Sequence, residues 1–195
     1  AAERPLKRMM QIWGGARDWD VFCETLADAR ADAALLARAR QKRALARRAA
    51  AAVARSAAFQ EAQLRVLRWL HRDPWKSDVA RAEKLGRFAR QTLARLHARL
   101  IREARGLPWR DARRRHAVRI RVKRLRYGCD FFAGCFPHQA VLPFITRLAS
   151  LQDTLGELND VAVAKRLAAE IGPGGEGLAL RRWLAARERE LIGSL

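Results

Sequence analysis

Residues 113–132, which read RRRHAVRIRVKRLRYGCDFF, carry two patterns that both have the period of an α-helix. At about 100° per residue, one arc is apolar and is typical of a helix that packs against a core. It consists of Val118, Val122, Leu125 and Cys129. A second arc, well away from the first, holds His116, Arg119, Ile120, Lys123, Arg126 and Tyr127. Like charges one turn apart destabilise an isolated helix, so the second arc indicates either an anion-binding face or a solvated basic face.

The rest of the chain repeats the helical period, and no segment shows the alternation of a convincing strand. Residues 32–55 are almost entirely Ala, Leu, Arg and Lys, which are strong helix formers. Ser56 is a candidate cap for a helix over 57–71, whose apolar positions are Phe59, Leu64, Leu67 and Leu70. Further helices are predicted over 78–105, 141–155, 161–171 and 178–191, separated by breaks at 73–74, 106–108, 136–137, 156–160 and 173–177. We expect an all-α fold of seven or eight helices in antiparallel bundles.

The net charge predicts a polyanionic partner. The 195 residues include 40 Lys+Arg against 20 Asp+Glu, a formal charge of +20. The densest basic region runs from Arg95 to Arg126, with thirteen basic residues and two acids. In it, Arg95, Arg99 and Arg102 share one face of a predicted antiparallel neighbour of the 113–132 helix and are further candidate contacts. A solvated face is the alternative for them, as it is for Lys42, Arg43, Arg47 and Arg48.

Several classes of function are disfavoured by what the sequence lacks. It contains no GxxxxGK[ST], HExxH, GxSxG or CxxC pattern, and acids are scarce where the cations concentrate. We therefore expect no catalytic residues, no metal site, no cofactor and no enzymatic activity. Three cysteines without metal-ligand spacing fit a reducing compartment, and no signal peptide or long apolar run is present, so we expect a soluble cytoplasmic protein without a membrane partner.

A loose internal repeat links the two ends of the chain. Gly14, Asp18 and Val21 recur 142 residues later as Gly156, Asp160 and Val163. A glycine can end a helix and an aspartate can cap the next one, so both copies predict helix–turn–helix corners. By this reasoning a helix ends at Gly14-Gly15, and residues 156–160 form a turn.

The combined motifs resemble the CHAD domain, the conserved histidine α-helical domain. The second half of that domain is similar to residues 116–127 together with the later motif Leu151-Gln152-Asp153-x-Leu155-Gly156-x-x-Asn159-Asp160. Residues 14–21 resemble the corner that ends its first half. The resemblance implies two pseudo-symmetric four-helix halves in one domain over 1–195, here 1–75 and 76–195. It also implies non-catalytic binding of inorganic polyphosphate through basic residues, and location at polyphosphate granules.

The resemblance assigns ligand-facing roles to His116, Arg119, Lys123 and Arg126. Arg124 becomes an outer contact, and Tyr127 either a contact or a residue that orients its neighbours. A polyanion favours the protonated imidazole, so His116 predicts binding that strengthens as the pH falls.

Two questions stay open at the level of sequence. An RNA- or DNA-binding helical protein is the alternative function, although such proteins usually add aromatic platforms for bases, and here the basic stretches offer little beyond Tyr127 and Trp109. The counterpart of the 113–132 helix would fall ahead of Ala1, so the first half is expected to be incomplete. We expect it to be completed by an N-terminal segment or by another chain, such as a second copy.

Overall fold

The computed structural model describes residues 3–71, 85–172 and 177–195, and within them the chain forms seven α-helices and no strand. The helices are α1 Glu3–Asp28, α2 Ala33–Ala54, α3 Ala57–His71, α4 Leu85–Ala104, α5 Ala112–Phe132, α6 His138–Ile171 and α7 Leu178–Gly193, with a short 3-10 helix at Ala133–Cys135. The all-α prediction is confirmed. The predicted break at Asp73-Pro74, the start of the predicted helix 78–105 and most of the predicted loop 173–177 lie outside the described residues.

The chain divides into two compact units that share two helices. One unit comprises Ala1–Asp78 and Val163–Ala186, and the other Val79–Ala162 and Arg187–Leu195. Helices α6 and α7 therefore each contribute to both units. The proposed boundary of the two halves near residue 75 stays a prediction.

In the first unit the core lies between α1 and α2. Phe22, Leu26 and Leu35 are almost completely buried there. The indole Nε1 of Trp13 donates a hydrogen bond to the carbonyl oxygen of Ala50 across 3.1 Å. Helix α3 buries none of its side chains, and its predicted apolar positions Leu64, Leu67 and Leu70 are about half exposed, at 51%, 52% and 49%.

The two predicted corners were wrong, because α1 runs through Gly14-Gly15 and α6 runs through residues 156–160 without interruption. A glycine inside a helix costs only about 1 kcal/mol relative to alanine, which the backbone hydrogen bonds of a long helix outweigh. The aspartates therefore do not cap helices. Asp18 instead accepts a hydrogen bond from Arg166 at 3.0 Å, and Asp160 accepts one from Asn159 at 3.4 Å.

Two other predicted helix boundaries are observed. Ser56 Oγ accepts a hydrogen bond from the Phe59 backbone N–H at 3.2 Å as α3 begins. Gly106 has a φ of +64° in the turn that precedes α5, a conformation that glycine adopts without strain. Asp111, which the sequence did not single out, caps α5 by accepting from the Arg114 N–H at 3.1 Å.

In the second unit α4 packs antiparallel to α5. Near the start of α4, the ring of Phe88 lies 5.9 Å from that of Phe132 at the end of α5. Near the end of α4, Glu103 binds Arg121, which lies in the middle of α5, at 3.2 Å. Between these contacts the Leu93 and Leu96 side chains cover Gly128. The predicted apolar arc of α5 is buried, with Val118, Val122, Leu125 and Cys129 each at most 4% exposed.

Candidate anion-binding site

Helix α5 presents its predicted basic arc on the side that faces away from α4. The α4-facing residues Arg121, Gly128 and Phe132 lie within about 40° of one another on the helix circumference. His116, Arg119, Lys123 and Arg126 are centred about 180° from them. The structure therefore brings these four predicted site residues onto one face of α5, and α6 supplies the polar partners of that face.

His116 is exposed, and α6 fixes the direction of its ring. Its Nδ1 lies 2.8 Å from Oδ1 of Asn159. The two ring nitrogens of an imidazole point in roughly opposite directions, so Nε2 is directed away from Asn159. That nitrogen is the ring atom available to a ligand.

Arg126 is held by three contacts. Its Nε donates to Gln152 Oε1 of α6 at 2.9 Å, and its Nη1 donates to Asp130 Oδ2 one turn further along α5 at 3.0 Å. Its guanidinium also lies over the Tyr127 ring, 4.6 Å from the ring centre. Lys123 Nζ lies 5.8 Å from the same ring. Tyr127 is thus placed to orient two cations of the arc by cation–π attraction.

Arg119 and Lys123 differ from Arg126 in their partners. Within the described residues, neither of them forms an ion pair with a carboxylate. Arg119 is half-buried, and its Nε is a buried donor without a hydrogen-bond partner among those residues. Burying a donor without a partner is costly, and an anion is the kind of group that satisfies a guanidinium.

The remaining predicted contacts lie elsewhere. Arg124 is exposed and lies about 80° around α5 from His116, toward α4. Arg95, Arg99 and Arg102 are exposed on α4 itself. Because α4 packs on the opposite side of α5 from the arc, the structure does not bring these three arginines to the face that carries His116.

The candidate cations of α2 are partly engaged with carboxylates of their own unit. Lys42 binds Glu170 at 3.2 Å, and Arg47 binds Asp20 at 2.8 Å. These two residues are therefore not simply solvated cations, because each forms an ion pair at the surface. Such pairs are each worth about 0–1 kcal/mol.

Sequence reasoning missed the residues that support the arc. Gln152 and Asn159 lie seven residues apart, a spacing that places both on one side of a helix. This spacing within the motif could have indicated that both side chains face a common neighbour. Asp130 follows Arg126 at the spacing of a helical ion pair. Arg115, which is 3% exposed and binds Glu188 at 2.6 Å, had no such signal because its neighbours are also arginines.

Two of the three cysteines, Cys23 and Cys129, are buried. All three cysteines are free, and burial raises the pKa of the Cys23 and Cys129 thiols above the ordinary 9.0. Both remain protonated at neutral pH and are poor nucleophiles. In the described parts of the chain, no group of three or more His, Cys, Asp or Glu side chains is placed to hold a metal ion.

Comparison with known proteins identifies the family. The sequence model of the CHAD domain matches residues 1–169, and the chain therefore belongs to the CHAD-domain family. The structure is similar to the crystal structure of the CHAD domain from the plant Ricinus communis, with a TM-score of 0.77 and 27% sequence identity. The match covers 99% of this chain and 66% of that one. No curated protein sequence matches the chain. Of the helices that the structure describes, none has the length and apolar character needed to cross a membrane.

Proposed function

We propose that the chain is a non-catalytic binding module for inorganic polyphosphate, located in the cytoplasm at polyphosphate granules. The observation that carries the proposal is the α5 arc. Arg119 and Lys123 lie between His116 and Arg126 and have no carboxylate partner in the described residues, while α6 orients the two outer members. Membership of the CHAD-domain family supports the same ligand.

The arc suits a linear polyanion. From His116 to Arg126 it extends about 15 Å along the helix, which is enough to contact several successive phosphate groups. Arginine binds phosphate oxygens through its planar fork, and lysine acts as a point charge. Binding to the polymer would release its condensed counterions, which supplies a driving force that requires no specific sequence of bases.

The arrangement favours binding over catalysis. Two carboxylates beside the arc are already engaged, Asp130 by Arg126 and Asp160 by Asn159. A phosphohydrolase needs free carboxylates to hold cations or to activate water. We therefore propose that the module binds the polymer without cleaving it.

A nucleic acid is the competing ligand, and Tyr127 is the residue on which it depends. Single-stranded nucleic acids are usually bound by stacking of bases on exposed aromatic rings. The Tyr127 side chain is 50% exposed, but the Arg126 guanidinium lies over its ring. That contact leaves less of the ring for a base and favours a polyanion without bases.

A retardation assay compares long-chain polyphosphate, tRNA and duplex DNA at matched phosphate concentration and salt. We expect polyphosphate to be retained most strongly. The variant R119A/K123A should weaken its binding about ten-fold or more, because hydrogen bonds to charged groups are each worth about 1.5–3 kcal/mol.

The matched control is R87A/R90A, which removes the same charge from exposed positions of α4, the helix that packs on the opposite side of α5 from the arc. We expect it to change the affinity less than about two-fold. Equal retention of the three polymers, or equal losses in the two double variants, would contradict the proposal.

A further inference from the structure

The side chain that orients His116 is itself oriented by a neighbour. Asn159 Nδ2 lies 3.4 Å from Oδ1 of Asp160, the next residue of α6. An ionised carboxylate can only accept hydrogen bonds, so the amide must direct its NH₂ group toward Asp160. The amide oxygen of Asn159 is then the atom that faces Nδ1 of His116, at 2.8 Å.

The direction of this chain of hydrogen bonds settles which ring nitrogen carries the proton. An amide oxygen has no proton to give, so Nδ1 of His116 must be the donor. A neutral imidazole carries one N–H, and its other nitrogen is an acceptor. Nε2, which is directed away from Asn159, is therefore a lone-pair acceptor whenever His116 is neutral.

We infer that Asn159 and Asp160 are positioning residues that hold neutral His116 in the Nδ1–H tautomer, so that only the imidazolium can donate from Nε2 to an anion. This inference rests on the proposed function for the identity of the anion, a phosphate oxygen. The neutral ring presents a lone pair to that oxygen and weakens binding. The charged ring presents a donor and strengthens it.

The charged surroundings of His116 come from three helices. On α5, Arg113 and Arg119 lie one turn before and after it. On α6, Asp160 lies beyond Asn159, and on α7 Glu188 binds Arg115, the preceding residue of α5. A bound polyanion attracts an imidazolium and not a neutral imidazole, so ligand binding and proton uptake are linked.

Nitrogen-15 NMR of the imidazole tests the tautomer without any ligand. At a pH where His116 is neutral, we expect Nε2 to resonate as a pyridine-type nitrogen and Nδ1 as a pyrrole-type nitrogen. The opposite pattern in the wild-type protein would overturn the inference, whatever the protein binds. In N159L, which removes the acceptor, and in D160A, which frees the amide to turn over, we expect a mixture of both tautomers.

Binding of long-chain polyphosphate between about pH 5.5 and pH 8 tests the consequence, since histidines change charge in that interval. We expect the wild-type affinity to fall about ten-fold as the pH rises, which is the value of one charge-assisted hydrogen bond. H116A should lose most of this pH dependence. N159L should show a shallower fall than wild type, because its neutral ring can rearrange to donate from Nε2. If N159L kept the wild-type slope, the tautomer would not control binding. If polyphosphate bound at no pH, the proposed function would fail, and the NMR result would still decide the tautomer.

Discussion

Arg115 shows what a single arginine does when it leaves the solvent. It is 3% exposed, and its Nη2 donates to Glu188 Oε1 at 2.6 Å while its Nη1 donates to the carbonyl oxygen of Trp109. Glu188 is itself mostly buried, with 20% of its side chain exposed. Both charges are therefore largely removed from water, and their mutual attraction offsets part of the cost of desolvation. This pair ties the start of α5 to the end of α7.

We expect R115A to lower the free energy of unfolding by about 3 kcal/mol, because the substitution removes a buried guanidinium whose ion pair with Glu188 and hydrogen bond to the Trp109 carbonyl are both lost. Urea denaturation followed by circular dichroism measures the loss. R114A is the matched control, since Arg114 is the exposed neighbour, and its effect should stay within about 0.5 kcal/mol. Similar losses in the two variants would show that the buried pair adds no stability of its own.

The exposed and the buried arginines of α5 differ in how well the sequence predicts their roles. The arc of His116, Arg119, Lys123 and Arg126 could be predicted, because helical spacing alone places residues on a common face. The burial of Arg115 could not, since the sequence does not say which of three consecutive arginines meets a carboxylate 73 residues away. The same is true of Asn159 as the partner of His116, which only the packing of α6 against α5 decides.

At the scale of the helices, the existence and type of most elements were predictable, and the continuity of two of them was not. The α5 helix and its buried apolar arc follow from a strong local pattern. The interruptions predicted at Gly14-Gly15 and at Gly156 were wrong because a glycine weakens a helix without necessarily ending it. In both places the helix continues and carries Asp18 or Asp160 to a side-chain partner.

Glycine-to-alanine substitutions distinguish these two roles of glycine. Gly156 lies inside α6, and a Cβ added there would meet no atom within 4 Å. We therefore expect G156A to raise the free energy of unfolding by about 0.5–1 kcal/mol, through better helix propensity. G14A in α1 should behave in the same way.

G106A provides the contrast, because Gly106 has a φ of +64° in a turn. An alanine at that φ is strained, and we expect a loss of about 1 kcal/mol in the same urea titration. A destabilising G156A of similar size would mean that the helix does end at Gly156, as the repeat had suggested.

At the scale of the whole molecule, the net charge of +20 does not predict by itself where a polyanion binds. The structure shows that the cations have different partners. Lys42 and Arg47 of the first unit bind carboxylates, whereas Arg119 and Lys123 of the second have no such partner among the described residues. A polyanion must displace a carboxylate from the former pair but not from the latter. We therefore expect the total charge to govern long-range attraction of a polyanion, and the cations without a carboxylate partner to govern close contact with it.

The salt dependence of polyphosphate binding separates these two contributions. A plot of log K against log salt should be linear, with a slope that reports the number of phosphate charges neutralised in the complex. We expect K123Q to reduce the magnitude of that slope by about 0.7, the value for one phosphate contact in a single-stranded nucleic acid, because our proposal places Lys123 in direct contact with the polymer. R90Q removes the same charge from an exposed position on α4 and should leave the slope unchanged while weakening binding only slightly at low salt. Fluorescence titration with polyphosphate at four salt concentrations measures both slopes. If K123Q and R90Q shifted the slope equally, binding would depend on net charge alone, and the α5 arc would have no special part in it.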